Sequence, residues 1–144
     1  MAKTVSTAKT STINRATSLP HPDLARYCDD LEQWPRSWMG WEKDLPPGEG
    51  LIACFRPFLE YLGNSNLSRK TIRKHVDNLW LLGGEIIRDL NETPSLRKVS
   101  VDRLLINAIA DGGPLLYHCD SEEQQRSFDS TCRKLHRFLG QASR

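Results

Sequence analysis

The chain has 144 residues, with 20 lysines and arginines against 18 aspartates and glutamates and a formal net charge of +2. That length holds one core of useful size and is too short for two ordinary domains, and so small a charge does not by itself imply a nucleic-acid partner. No run approaches the roughly 20 apolar residues of a membrane span, so no membrane partner is expected. The four cysteines, Cys28, Cys54, Cys119 and Cys132, are widely spaced without a CxxC, which argues against a secreted disulfide framework and for reduced thiols in a cytoplasmic protein.

Charge is segregated along the chain. Residues 1–20 carry Lys3, Lys9 and Arg15 and no acid; this Ser/Thr-rich start is expected to be a disordered basic tail, because it holds too little apolar surface to repay ordering and lacks the amphipathic period of a transit peptide. Residues 21–50 hold three bases against seven acids and read as an acidic, Trp-rich helical extension and linker. A short helix is expected over about 23–33, a break at Pro35, and a linker at DLPPGEG, residues 44–50. Trp34, Trp38 and Trp41 recur at i, i+4 and i+7. Such a stripe reads first as packing residues and second as a docking surface, since Trp is favoured as an interface anchor.

Residues 51–140 read as a helical domain. LIACFRPFLEYLG sets Leu51, Phe55, Phe58 and Leu62 at helical spacing and ends at Gly63, with Pro57 expected to kink or shorten the helix. Ser68 is a good N-cap for a long segment in which Ile72, Val76, Leu79, Gly83, Ile86 and Leu90 share one face. Gly83 inside that stripe suggests a close helix crossing, while Gly84 beside it weakens the helix by up to about 1 kcal/mol. Ser100 caps a short helix bearing Val101, Leu104, Leu105, Ala108 and Ile109, and DGGP ends it. The last helix opens with a capping box, Ser121 to Gln124, and runs to Gly140 with Phe128, Cys132, Leu135 and Leu139 on one face. PLLYH is the only short strand candidate, so the expected fold is all-α, a compact bundle of four to five helices.

Four cations, Arg69, Lys70, Arg73 and Lys74, stand where the long helix begins. A helix N-terminus carries roughly half a positive charge, so each nearby cation costs about 0.3 to 1 kcal/mol. At 100° per residue the four fall within an arc of about 140°, centred away from the apolar face. A solvated polar face is one reading. Phosphate contact is the other, because backbone N–H groups and cations converge at such a helix start. Arg126, Arg133 and Arg137 on the outer face of the last helix are a second, weaker candidate set, since cations toward a C-terminus are favourable anyway.

FRPFLEYLGNSNLSRKTIRKHVDNLWLLGGEII resembles the N-terminal core-binding, SAM-like domain of tyrosine recombinases and phage integrases. The likeness rests on Phe58, Leu59 and Leu62, then on Leu67, Ser68, Thr71, Ile72 and Leu79; SEEQQRSFDSTCRKLHRFLG is similar to the family's closing helix, and about residues 51–140 are covered. The resemblance implies a helical clamp on double-stranded DNA, with the SRKTIRK helix among the contacting elements and with Arg69, Lys70, Arg73, Lys74, Arg126, Arg133 and Arg137 as candidate DNA-binding residues. It also implies an accessory role for a mobile element, with a recombinase or other protein as a further partner. His75 stands where the family has an aromatic such as Tyr. No H-x-x-R occurs, because His21, His75, His118 and His136 are followed three residues on by Leu, Asn, Ser and Leu. Tyr27, Tyr61 and Tyr117 therefore lack the clustered cations and acid/base groups that strand cleavage requires, and the expected protein is not an enzyme.

His118, Cys119, Cys132 and His136 are ligand types, but Cys132 lies in the apolar stripe and the adjacent His118–Cys119 pair chelates poorly, so no metal is expected. No glycine-rich phosphate loop is present, and no cofactor is expected. The residues thus admit two functions, a non-catalytic DNA-binding protein and a helical protein-interaction module docking through its Trp-rich segment.

Overall fold

The computed structural model describes residues 27–142; the basic tail at 1–20 and the start of the helix expected at 23–33 lie outside them. Five α-helices form, α1 Trp34–Trp38, α2 Leu45–Gly63, α3 Arg69–Glu92, α4 Val101–Ile109 and α5 Glu122–Ala142, joined by 3-10 turns at Leu31–Gln33, Glu42–Asp44 and Pro94–Lys98. No strand forms among the described residues; PLLYH is coil, and Ala110 and Gly112 make one isolated bridge. The all-α bundle expected from helical periodicity is the fold. Helix α2 packs on α1, α3 and α4, and α5 closes the bundle against α3 and α4.

The periodic residues are the core. Leu51, Phe55, Phe58 and Leu62 of α2 meet Ile72, Val76, Leu79, Ile86 and Leu90 of α3, Leu105 and Ile109 of α4, and Phe128, Cys132 and Leu135 of α5, all buried. Each such large apolar side chain stabilises the fold by about 1.5 to 3 kcal/mol through burial. Ser68 and Ser100 cap as their positions suggest, each Oγ accepting an N–H three residues on, from Thr71 at 3.1 Å and Arg103 at 3.3 Å. At the start of α5, Gln124 N–H donates to Ser121 Oγ at 3.1 Å. The reciprocal bond of the box is displaced by one residue, because Gln124 Oε1 accepts from the Asp120 N–H. The DGGP turn needs its glycines: Gly112 has φ +97°, and a Cβ on Gly113 would lie 2.5 Å from the Phe128 ring.

Two expectations about the N-terminal half are corrected, and one is narrowed. DLPPGEG is no linker. Asp44 closes a 3-10 turn, and Leu45 to Gly50 are the first turns of α2, where Pro46 and Pro47 are tolerated because the first turn's N–H groups have no intrahelical acceptor. Pro57 does not shorten α2, which runs continuously from Leu45 to Gly63. Pro35 likewise sits in the opening turn of α1 rather than in a break; of the helix expected before it, Tyr27 is helical and Leu31–Gln33 form a 3-10 turn, with Cys28, Asp29 and Asp30 non-helical between them. Segment 27–50 is therefore built into the same core through Cys28, Leu31 and Trp34.

The Trp stripe divides. Trp34 is buried, Trp38 is half-buried, and Trp41 is 63% exposed. The close approach expected at Gly83 is made by an indole rather than by a helix backbone: a Cβ there would fall 2.2 Å from the Trp38 ring, whose Nε1–H donates to Trp80 O at 3.0 Å. Trp80 Nε1–H returns a bond to Ser37 Oγ at 2.9 Å. Below this pair Asp44, 1% exposed, accepts from Gly40 N–H, Trp41 N–H, Asn91 Nδ2 and Arg97 Nη2 at 2.8, 3.1, 3.1 and 2.6 Å. Burial alone would raise its pKa; the bonds from Arg97, Asn91 and the two backbone N–H groups outweigh it and lower the value to about 2.

Two outcomes follow from this packing. Gly83→Ala should lower the melting free energy by about 1 to 3 kcal/mol through overpacking against Trp38, whereas Gly84→Ala, whose Cβ would stand 3.4 Å from the same ring, should be neutral or stabilise by up to about 1 kcal/mol through helix propensity; paired thermal melts check the contrast. Asp44 is ionised in the fold below its ordinary range, so its contribution of about 2 kcal/mol is present above pH 4 and is lost as the pH falls toward 2. Urea titrations from pH 7 to pH 2 should show that loss in the parent and a flatter profile in Asp44→Asn, which starts lower at pH 7 because Arg97 loses its partner.

Candidate nucleic-acid interface

Ser68 starts α3 at a sharp turn out of the 64–67 loop, and helix geometry then carries the cations outward. Arg69, Lys70, Arg73 and Lys74 are all exposed, while Ile72 and Val76 between and beyond them are buried. No acid occupies the first turn of α3. The four cations line one open groove of about 1080 Å³ along α3, together with Thr71, Asp77, Asn78 and Leu81, and Gln124 of α5 forms its far wall. Asp77 is the one carboxylate among these lining residues. Burial raises its pKa, Arg73 opposes that rise, and Asp30 from the N-terminal segment adds to it.

A buried polar seam forms the groove's inner side. His75, Asn78 and Thr131 are each buried where α3 meets α5. Thr131 Oγ1 lies 2.7 Å from His75 Nδ1 and accepts from Asn78 Nδ2 at 2.9 Å. The same Asn78 amide donates to Ser127 O and Ser127 Oγ, both at 3.2 Å. Burial, then the charges of Lys134 and Lys74, push the His75 pKa down to about 4, so the ring is neutral at pH 7. His75 is thus a hydrogen-bonded imidazole that ties two helices together.

The second candidate set does not reach the groove. On α5, Ser127 and Thr131 face α3, and Phe128, Cys132 and Leu135 face the core. Arg126, Arg133 and Arg137 fall opposite the core side at 100° per residue, about a quarter turn from the α3-facing line. All three are exposed. Arg126 pairs with Glu122 at 3.7 Å, and Arg133 lies toward Gly112 and Asp129 in the α4–α5 turn. The α5 cation that shares a side with His75 is Lys134, which the reading of the sequence passed over. The spacing of Ser127, Thr131 and Lys134 could have signalled it only once α5 was known to pack on α3 through those positions.

Elsewhere three of the four thiols are held protonated. Burial raises the Cys28 and Cys132 thiols to about 12, and burial with the Asp102 carboxylate, 3.1 Å from Cys54 Sγ, does the same for Cys54; such thiols are not nucleophiles at neutral pH. Among the described residues no three His, Cys, Asp or Glu side chains come together in a metal-holding group, and no helix is long and apolar enough to cross a membrane. Against known proteins, the chain matches no family model, no curated protein and no solved structure.

Removing the hydroxyl at the centre of the seam checks its role. Thr131→Val keeps the shape but leaves His75 Nδ1 without its partner and Asn78 with one acceptor fewer, so unfolding free energy should fall by about 1 to 3 kcal/mol in denaturant titrations.

Proposed function

We propose that the protein is a non-catalytic binder of double-stranded DNA, similar in role to an isolated core-binding domain of a tyrosine recombinase and serving as an accessory factor of a mobile element. One observation carries the reading: four exposed cations and a single carboxylate line one groove at the start of α3. Placing cations there costs helix stability, and duplex phosphates are the partner for which that placement is favourable. Ser68 adds a capped helix start, and a helix N-terminus favours an anion nearby.

The docking alternative loses most of its surface, because Trp34 and Trp38 are used in packing and only Trp41 of the stripe stays largely exposed. The acidic segment 27–50, packed beside the groove through Asp30 and Trp34, acts on this reading as a charge boundary that limits DNA to one side of α3.

Arg73→Glu with Lys74→Glu tests the proposal. Helical content should hold or rise slightly, since acids suit a helix start, while duplex binding collapses. Each lost phosphate contact removes about 0.9 from the slope of log affinity against log salt, so the slope should flatten by roughly 2. Reversal of Arg126 and Arg133 should matter less. A folded Arg73/Lys74 variant with an unchanged slope would show the cations to be solvated surface and nothing more.

A further inference from the structure

Lys134 was not among the candidate contacts, yet the packing of α5 on α3 brings it near His75. Ser127, Thr131 and Lys134 are spaced by four and three residues, so they lie within about 60° of one another on α5. Ser127 and Thr131 are in direct hydrogen bond with Asn78 of α3, which lines the groove. Lys134 continues that line by one turn. The two helices run antiparallel here, since Asn78 bonds Ser127 while His75, three residues earlier, bonds Thr131, four residues later. Continuing the same progression takes Lys134 toward the N-terminal turns of α3, where Lys70 and Lys74 stand.

We infer that Lys134 of α5 and Lys74 of α3 form a two-helix phosphate clamp across the His75–Thr131 bond, and that Lys134, rather than Arg126, Arg133 or Arg137, is the DNA contact supplied by the closing helix. This rests on the duplex-binding reading and adds a second helix to it. Independent support comes from His75, on which Lys134 and Lys74 both act electrostatically from opposite helices. The imidazole is neutral and bonded to Thr131, and the charges that act on it are the two ammonium groups of Lys134 and Lys74. Two cations held on separate helices but tied by one buried network form a preorganised pair, which a flexible surface lysine does not. Lys134 is half-buried, so its stem packs while its charge stays at the surface.

Lysine acetylation of the full chain with and without a duplex, combined with salt titrations, tests the clamp. Duplex should slow acetylation of Lys70, Lys74 and Lys134 several-fold and leave Lys43 and Lys98 as reactive as before. Lys134→Gln should flatten the salt slope by about 0.9, as expected for one phosphate contact, while Lys98→Gln leaves it unchanged; circular dichroism verifies that both variants fold. Protection of Lys70 and Lys74 with full reactivity at Lys134, or an unchanged slope in a folded Lys134→Gln, overturns the clamp and leaves the DNA reading standing. Absence of protection at all three lysines, with no duplex binding at low salt, overturns both.

Discussion

The register between α3 and α5 rests on one amide. Asn78 Nδ2 reaches Thr131 Oγ1, Ser127 Oγ and Ser127 O, and a buried amide that finds its acceptors in one alignment leaves them unpaired in any other. An apolar seam would tolerate sliding by a turn, since Leu, Ile and Phe repack with modest penalty. A buried polar seam does not. Fixing α5 this way also fixes which of its cations comes near His75, and that cation is Lys134.

The other end of α3 is constrained by shape. Gly83 is a notch filled by the Trp38 indole, and the paired bonds between Trp38, Trp80 and Ser37 hold α1 across the helix. Asp44 then ties the turn after α1 to Asn91 and Arg97 beyond the C-terminus of α3. The acidic segment is therefore held by packing as well as by charge. Its Asp30 acts on Asp77, the carboxylate that lines the groove together with the α3 cations.

Helix α3 thus meets four demands with one 24-residue element: an apolar stripe for the core, a glycine notch for Trp38, a polar seam for α5 and a cationic outer edge. The first three serve the packing of the molecule itself. The cationic edge is opposed by the helix dipole and has no acid in the first turn to offset it, which is why it carries the functional proposal. Residues that stabilise the fold need no partner to account for them; residues that weaken their own helix do.

Much of this was legible in the chain itself. Helical periodicity, the serine caps and the DGGP stop defined α3, α4 and α5, because those signals are local: a cap and a 3.6-residue period act within a few turns. The same locality misled the reading at residues 44–50, where Pro and Gly suggest a linker yet occupy the opening turns of α2, since a proline in the first turn forfeits no hydrogen bond. It also grouped Arg126, Arg133 and Arg137 with the α3 cations, although they lie on another side. Which face of α5 meets α3 depends on contacts between residues about 50 positions apart, Asn78 with Ser127 and His75 with Thr131. By itself, then, the sequence determined the helices, the core stripe and the exposed cations at the start of α3, whose periodicity and order are short-range properties. Tertiary structure alone decided that Trp38 fills Gly83, that Asp44 is a buried hub, and that Lys134 rather than the arginine stripe comes near His75, because partners distant in sequence are chosen by shape and by hydrogen bonds that only the folded packing brings together.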